Sequence, residues 1–389
     1  MKITFAIPHS GCAWWRCRQP ASMIKRLGLA EVKVFDIYNS TEEELSEMLS
    51  WGEVIVSQSV MDISSVVTTA KYREMGKTVV IDYDDLSFSL SPFNPAYKTL
   101  GLQEVKIRRG DREDYLWQDN KNGFSIKANY FRYKSLQDLL RTADAITTTT
   151  KFIKDKYSEF SNNIFILPNS IDFNLFKPFP KKENKEIRIG WVASDSHHSE
   201  VWMVKRIMRR IFDKYKDKVR FVLFGNISGI SEEFIKDTYE RHDFIGLDTY
   251  PLKLASLNLD IAICPLENID FNRAKSQLKW SEMAALKVPS VCSKIEAYDC
   301  VEDGITGLVA DNETEFYEKI CELVDSGKFR QEIAKNAYDK NYEDYNLEKN
   351  AVLWVEAYEQ TRDSCESQLS EWGVSEKGTP KISQILDTK

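Results

Sequence analysis

Short apolar segments alternate with amphipathic segments from the first residue of this chain, and the alternation starts again after a polar break. In the first half, buried strands are predicted at KITFAIP, VKVFDIY, EVIVSQS, TVVIDY, DAITTTT and NIFILPN. The segments between them have the apolar spacing of helices. This order is typical of a parallel, doubly wound sheet, because parallel strands need crossover connections. Residues 1–176 are therefore predicted to form a Rossmann-like domain.

The polar break is the stretch KPFPKKENKE at 177–186, which is predicted to be an interdomain linker because it lacks any apolar pattern. Strands of a second Rossmann-like domain, over 187–345, are predicted at IRIGWVAS, VRFVLFG, HDFIG, LDIAICPL, VPSVCSK and TGLVAD. A helix over 346–369 follows, and 370–389 is predicted to be a polar tail. We expect a ligand-binding cleft where the carboxyl ends of the two sets of strands face each other.

Residues 86–127 interrupt the first domain with aromatic residues, prolines and mixed charge but no clean period. An irregular insertion of this length is usually a functional loop or lid, or else partly disordered.

Composition indicates a soluble globular protein, with 42% hydrophobic and 29% charged residues. No segment reaches the roughly 18 apolar residues that cross a bilayer, and the N-terminal segment lacks the apolar core of a signal peptide, so a cytoplasmic protein is expected. Seven cysteines without CxxC or metal-ligand spacing argue against a disulfide framework or a zinc site. A net charge of −7 argues against broad nucleic-acid binding, although the basic segment VKRIMRRIFDKYKDK leaves local contact open.

The segment FNRAKSQLKWSEMAALKVPSVCS concentrates cations at a predicted helix start. The macrodipole favours anions there, so a negative ligand is expected to compensate them. Lys275 and Lys279 are predicted to share a helix face and to neutralise a diphosphate, with Asn272 and Ser276 nearby. Glu282 is placed to accept hydrogen bonds from ribose hydroxyls. The alternative is a solvated helix face with Lys–Glu pairs.

The turn after strand IRIGWVAS contains Ser194, His197 and His198. Small residues let the backbone approach a ligand, and the next helix N-terminus offers N–H groups to a phosphate. His197 and His198 are candidate donors. The same kind of polar turn occurs throughout α/β proteins, which is the alternative.

Two segments of the first domain place polar or aromatic side chains at the ends of predicted strands. After the first strand, Arg16 is predicted to reach an anionic group across the cleft or to lie on the surface, and Trp14 and Trp15 are either core residues or a stacking platform. The segment IDYDDLSF carries three carboxylates, those of Asp82, Asp84 and Asp85. Such a set suits a divalent metal, glycoside hydrolysis, sugar-hydroxyl binding or the capping of a turn.

The run LDIAICPLENIDFNRAKSQLKWSEMAALKVPSVCSKIEAYDCVEDGITGLVADNETEFYEKI resembles the C-terminal domain of glycosyltransferase family 4, a family of retaining enzymes with the GT-B fold. The matching features are Pro265, the Lys275 to Lys279 segment, Glu282, ALKVPSV and DGITGLV. LPNSIDFNLFKP is similar to the family's linker motif, with matches at Asn169, Asp172, Phe176 and Pro178. The resemblance spans about 144–360.

This resemblance implies two Rossmann-like domains facing a central cleft, a last helix crossing back to the first domain, and a nucleotide-sugar donor used without a metal or other cofactor. The implied catalytic residues are Lys275, Lys279 and His197. Donor contacts are predicted for Gly11, Arg16, Ser194, Asn272, Lys275, Ser276, Lys279 and Glu282. The acceptor side is predicted to hold Asp82, Asp84, Asp85, Trp14 and Trp15, together with the 86–127 insertion.

Two positions depart from the family pattern. Ala274 stands where many members have the first of two glutamates, and Lys287 stands where glycine is usual. They indicate a divergent subgroup with the motif N-x-x-K-S-x-x-K-x-x-E.

The expected reaction moves a hexosyl or pentosyl group, with retention, to a hydroxyl of a glycan or lipid-linked sugar. One alternative acceptor is a hydroxylated base of modified DNA, as in phage-type enzymes. Two alternative functions also fit the sequence. The protein is then either a non-catalytic nucleotide-binding subunit of a glycosylation complex, or an epimerase or hydrolase with His197 or His198 as the base.

Overall fold

The computed structural model describes residues 1–8, 10–180, 184–227 and 239–371. Its strands, in chain order, are β1 Lys2–Ile7, β2 Glu31–Asp36, β3 Val54–Gln58, β4 Thr78–Tyr83, β5 Val105–Arg109, β6 Arg112–Trp117, β7 Ala145–Thr148, β8 Ile164–Ile166, β9 Ile187–Val192, β10 Val219–Phe224, β11 Tyr239–His242, β12 Ile261–Cys264, β13 Ser290–Ser293 and β14 Leu308–Ala310.

Its α-helices are α1 Gly11–Ala13, α2 Gln19–Arg26, α3 Glu42–Trp51, α4 Ile63–Glu74, α5 Tyr97–Leu100, α6 Ile126–Thr142, α7 Lys151–Tyr157, α8 Val201–Tyr215, α9 Tyr250–Ser256, α10 Asp270–Arg273, α11 Leu278–Ala285, α12 Glu313–Asp325, α13 Gly327–Asp344 and α14 Leu347–Glu371. A π-helical turn, Trp14–Arg18, connects α1 to α2.

Two parallel sheets form the centres of two domains. The first has the strand order β2-β1-β3-β4-β7-β8 and the second the order β11-β10-β9-β12-β13-β14. Every residue of β4 is buried, because crossover helices cover both faces of such a sheet. The predicted pair of doubly wound sheets is therefore confirmed.

Two sequence predictions of secondary structure were wrong. The strand predicted at HDFIG instead ends at His242, since β11 covers Tyr239–His242. The 86–127 insertion is not irregular: it contains α5 and an antiparallel hairpin of β5 and β6. The insertion has its own aromatic core, in which the Tyr97 ring lies 5.9 Å from that of Trp117 and 6.0 Å from that of Phe124.

The chain passes between the domains twice, and the two connecting segments lie next to each other and are hydrogen-bonded. The Ile171 N–H donates to the Tyr345 carbonyl at 2.7 Å, and the Leu347 N–H donates to the Ile171 carbonyl at 2.9 Å. Helix α14 then packs on the first domain, with Trp354 and Tyr358 in its core. The predicted crossing helix is therefore present. Of the predicted linker, 181–183 lie outside the described residues, as do 372–389 of the predicted tail.

No helix within the described ranges is long and apolar enough to cross a bilayer.

Candidate active site

A cleft of about 520 Å³ lies between the domains, at the carboxyl ends of their parallel strands. Of the predicted site residues, it is lined by Gly11, Trp15, Asp84, Asp85, Ser194, His197, Lys275, Ser276, Lys279 and Glu282. These residues are up to 271 positions apart in sequence, and the fold brings them together. The remaining predicted residues do not line the cleft: Trp14, Arg16, Asp82 and Asn272 are buried, and His198 is half-buried, with its ring centre 6.3 Å from that of Phe93.

The sequence predicted that the two lysines share one face of a single helix, and this prediction was wrong. Helix α10 ends at Arg273 and α11 begins at Leu278, so residues 274–277 form a turn between them. We call residues 274–279 the lysine turn. Lys275 lies in its irregular part and Lys279 in the first turn of α11, yet both lysines line the cleft.

Both ammonium groups lack a carboxylate partner within 4.0 Å in the part of the chain that the structure describes. The Lys275 ammonium lies 4.9 Å from the centre of the Phe271 ring. Burial lowers the pKa of Lys275, although the charges of Asp85 and Glu200 oppose that shift. Two lysines that line one cleft without a carboxylate within 4.0 Å, among the described residues, form an arrangement that suits an anionic ligand.

His197 lines the cleft beside these lysines. Burial, followed by the charges of Lys275 and Lys279, holds the pKa of His197 well below its usual value, so the imidazole is neutral at pH 7. Its Nδ1 lies 3.8 Å from Glu200 Oε2. A neutral imidazole offers one donor and one acceptor to a bound ligand.

Glu200 explains why Asn272 does not reach the cleft. The Asn272 amide donates to Glu200 Oε1 at 3.0 Å and to the Glu267 carbonyl at 3.0 Å. The Glu267 N–H also donates to Glu200 Oε1, at 2.9 Å. Asn272 therefore supports the backbone before the lysine turn, and the predicted donor contact of its side chain is not formed from this position. Glu200 was not among the residues predicted from the sequence.

Glu282 lies one turn beyond Lys279 and is only 3% exposed. Burial raises its pKa to about 7, while the Lys279 charge and a hydrogen bond with Tyr250 oppose the shift. Near neutral pH this carboxyl group is thus able to accept or to donate a hydrogen bond.

A further group of cleft residues was missed by the sequence analysis: Phe224, Gly225, Asn226, Phe244 and Tyr250. The Phe224 and Tyr250 rings stack with centres 5.4 Å apart. Gly225 has φ +120°, and a Cβ at this position would lie 2.1 Å from the Ala193 carbonyl oxygen. The glycine directly after an apolar strand was the available signal, because it marks a close backbone approach.

The opposite wall of the cleft, from the first domain, is acidic. Ligand atoms of Cys12, Asp84 and Asp85 lie within 4.8 Å of one another. Burial and the neighbouring Asp85 and Asp82 carboxylates raise the pKa of Asp84 to about 7. Burial also raises the pKa of Asp85, against the opposing charge of Lys275. The Asp84 charge, followed by burial, raises the pKa of the Cys12 thiol, which is therefore protonated at neutral pH.

Arg16 and Asp82 pair with each other instead of facing the cleft. The Arg16 Nη2 lies 2.8 Å from Asp82 Oδ2, and the arginine side chain is fully buried. Thr147 Oγ1 donates to the same carboxylate at 2.7 Å. The donor role predicted for Arg16 and the acceptor role predicted for Asp82 thus have no support in this arrangement. Trp14 packs in the core, with its ring centre 4.6 Å from that of Trp15.

The basic helix that favoured a nucleic-acid acceptor is α8, and its charges are already engaged. Arg206 pairs with Glu313 at 2.7 Å and Lys214 with Asp325 at 3.6 Å. Lys205 and Arg209 also have polar or electrostatic partners. This surface is therefore far less cationic than its sequence alone indicates.

The overall structure is similar to several solved structures. Sucrose-phosphate synthase from Thermosynechococcus elongatus gives a TM-score of 0.65 at 13% identity, over 94% of this chain and 100% of that chain. A glycosyltransferase from Rickettsia africae ESF-5 gives 0.62 at 12% identity, over 92% and 98%. HepE from Anabaena, in complex with UDP and glucose, gives 0.57 at 15% identity, over 94% and 100%.

These likenesses identify the fold class. The chain has the GT-B architecture, with two Rossmann-like domains around one cleft and a C-terminal helix that returns to the first domain. No protein-family model matches the sequence, and no curated protein sequence matches it.

Proposed function

We propose that this protein is a glycosyltransferase that moves a sugar from a nucleotide diphosphate sugar to a hydroxyl acceptor, with retention. The observation that carries the proposal is the pair of ammonium groups, those of Lys275 and Lys279, which reach the cleft of a GT-B fold without carboxylate partners among the described residues. A diphosphate is the ligand that two adjacent cations suit best.

The second domain supplies the donor site in this proposal. Lys275 and Lys279 bind the diphosphate, the Glu282 carboxyl accepts hydrogen bonds from the ribose hydroxyls, and the aromatic side chains of Phe244 and Tyr250 contact the base. HepE, which shares the fold, has been solved with UDP and glucose. No metal is needed, because the two ammonium groups neutralise the diphosphate.

The reaction breaks the bond between the anomeric carbon and the diphosphate oxygen, and the bonding electrons stay with the phosphate. Lys275 and Lys279 stabilise the charge that develops there. The acceptor hydroxyl oxygen bonds to the anomeric carbon on the same face and passes its proton to the leaving diphosphate. Neutral His197 serves as a hydrogen-bonding group, since its lowered pKa prevents it from carrying a stored proton.

The first domain supplies the acceptor site. The Trp15 ring and the carboxyl groups of Asp84 and Asp85 line this wall. An indole face packs well against the C–H face of a sugar, and carboxyl groups accept hydrogen bonds from its hydroxyls. This chemistry favours a glycan or lipid-linked sugar over the anionic backbone of DNA.

The test is donor turnover by the purified protein against UDP-, GDP-, ADP- and CDP-sugars, with detection of the released nucleotide. We expect release from at least one donor, and we expect Lys275→Ala and Lys279→Ala each to reduce it about 100-fold or more. The matched control is Lys328→Ala, an exposed lysine at the start of α13 that does not line the cleft.

Equal loss in Lys328→Ala would show that the effect is not specific to the cleft. Failure of every donor to be turned over, together with no change in melting temperature on nucleotide addition, would overturn the proposal.

A further inference from the structure

A buried chain of hydrogen bonds runs from the first domain to the lysine turn. It starts at the Arg16–Asp82 pair, and Arg16 Nη1 donates to Asn169 Oδ1 at 3.2 Å. Asn169 lies in the segment that leads from the first domain to the second. Its Nδ2 donates to Ser276 Oγ at 2.9 Å, and its backbone carbonyl accepts from Gln277 Nε2 at 2.8 Å.

The direction of the Asn169 amide is fixed by its partners. Arginine only donates hydrogen bonds, so the amide oxygen must face Arg16 and the amide nitrogen must face Ser276. Asn169 and Gln277 are 5% and 6% exposed, so water does not compete with these contacts. Losing one of them would leave a buried polar group unpaired, which is costly.

The first part of the lysine turn is tied to α10 by its backbone, since the Ala274 N–H donates to the Asp270 carbonyl at 3.0 Å and the Lys275 N–H to the Asn272 carbonyl at 3.2 Å. Residues 274–277 are not helical, and Gln277, the residue before α11, makes no side-chain capping bond to the helix. Ser276 and Gln277 lie between the two lysines in sequence. Asn169 thus holds the side chains of the two residues that follow Lys275 and precede α11.

We propose that Arg16 and Asn169 are positioning residues for the donor site: they hold Ser276 and Gln277, and through them Lys275 and Lys279, against the first domain. This inference rests on the proposed function, since the ligand of the two lysines is taken to be the donor diphosphate. Arg16 does not line the cleft, whereas Asn169 lines it but is only 5% exposed, with its side-chain amide engaged by Arg16 and Ser276. Arg16 is held by Asp82 on β4, and the same strand leads to Asp84. The hydrogen bonds therefore fix the position of the lysine turn relative to the opposite wall of the cleft.

The experiment is a double-mutant cycle between Asn169 and Ser276, read as the Kd for UDP, GDP, ADP or CDP, whichever the wild type binds. We expect Asn169→Ala and Ser276→Ala each to raise Kd about tenfold, and the double variant to raise it no further. Asn169→Asp keeps an acceptor for Arg16 and for the Ser276 hydroxyl, so its Kd is expected within about threefold of wild type. Asn174→Ala, an exposed asparagine of the same segment, is the control and should leave Kd unchanged.

Two results would overturn the inference: additive effects of Asn169→Ala and Ser276→Ala, or a lowered melting temperature in Asn169→Ala with an unchanged Kd. A second measurement, hydrogen–deuterium exchange, separates this failure from that of the proposed function. Amides of the lysine turn should exchange faster in Asn169→Ala than in wild type and Asn174→Ala. A wild type that binds no nucleotide contradicts the proposed function, whereas unchanged exchange in Asn169→Ala contradicts the positioning role.

Discussion

The two walls of the cleft carry opposite charge, and burial weakens the charge of each. On the second domain, burial lowers the pKa of Lys275. On the first domain, burial raises the pKa of both Asp84 and Asp85. A diphosphate between these walls would be drawn to the lysines and repelled by the carboxylates, whereas a hydroxyl group would be accepted by the acidic wall. In the proposed reaction, this difference in charge favours the donor diphosphate at the lysines and the acceptor hydroxyl at the carboxyl groups.

The largest expected effect is on the free energy of unfolding, and it distinguishes the buried carboxylate of Asp82 from the carboxylates of the acidic wall. Asp82→Ala leaves the fully buried Arg16 without its partner, and loss of one member of such a pair costs about 3–5 kcal/mol of unfolding free energy. Asp85→Asn removes a cleft carboxylate whose charge burial already disfavours, and is expected to change stability by less than about 1 kcal/mol. Urea unfolding of both variants tests this. Equal destabilisation would mean that Asp85 is also structural and that the wall is not a binding surface.

A smaller effect on stability is expected from alanine substitution of two glycines, one on each wall of the cleft. Gly225→Ala places a Cβ 2.1 Å from the Ala193 carbonyl oxygen at a φ of +120°, so we expect a loss of at least about 2 kcal/mol. A Cβ at Gly11 meets no atom within 4 Å, so Gly11→Ala should leave stability within about 0.5 kcal/mol. Its donor turnover should nevertheless fall, because the added methyl enters the cleft. Melting temperature and turnover, measured together, separate the two cases, and unchanged turnover in Gly11→Ala would remove Gly11 from the site.

Much of the fold was predictable because central parallel strands are uniformly apolar, as in VVI of β4. The missed elements lack that signal. β11 has the polar sequence YERH and lies at the edge of its sheet, and the β5–β6 hairpin is rich in charged residues. Edge strands and surface hairpins need not follow the apolar pattern on which the predictions depend.

The grouping of site residues was predictable where they are close in sequence, and it was not predictable where the interacting residues are far apart in sequence. Lys275, Lys279 and Glu282 lie within one short segment, so their grouping was visible in the sequence. Arg16 and Asp82 pair across 66 positions, and no local pattern distinguishes such a pair from two cleft residues.

Lys287 has a backbone conformation that is unusual for a residue other than glycine. It stands where the resembled family usually has glycine, and its φ of +57° lies in the left-handed region that favours glycine. Lys287, the second residue after α11, thus has a backbone conformation that a glycine adopts more easily.

The third effect is gradual, a dependence on pH that compares two carboxyl groups of similar pKa on opposite walls, Glu282 and Asp84, each raised to about 7. Because the folded protein keeps protons that the unfolded chain loses above pH 3.8 to 4.5, each group contributes stability at low pH that is lost as pH rises toward 7. The slope is at most about 1.4 kcal/mol per pH unit for each group.

Glu282→Gln and Asp84→Asn should each flatten the fall in unfolding free energy between pH 5 and 7, with a broader effect for Asp84 because the charge of the neighbouring Asp85 contributes to its raised pKa. Only Glu282→Gln is expected to flatten the pH profile of nucleotide Kd between pH 6 and 8, since Glu282 lies beside the lysines of the donor wall. Denaturation at pH 5, 6 and 7, with nucleotide titrations at pH 6, 7 and 8, measures both. A Kd profile that responds to Asp84→Asn but not to Glu282→Gln would place the donor against the first domain and reverse the roles of the two walls.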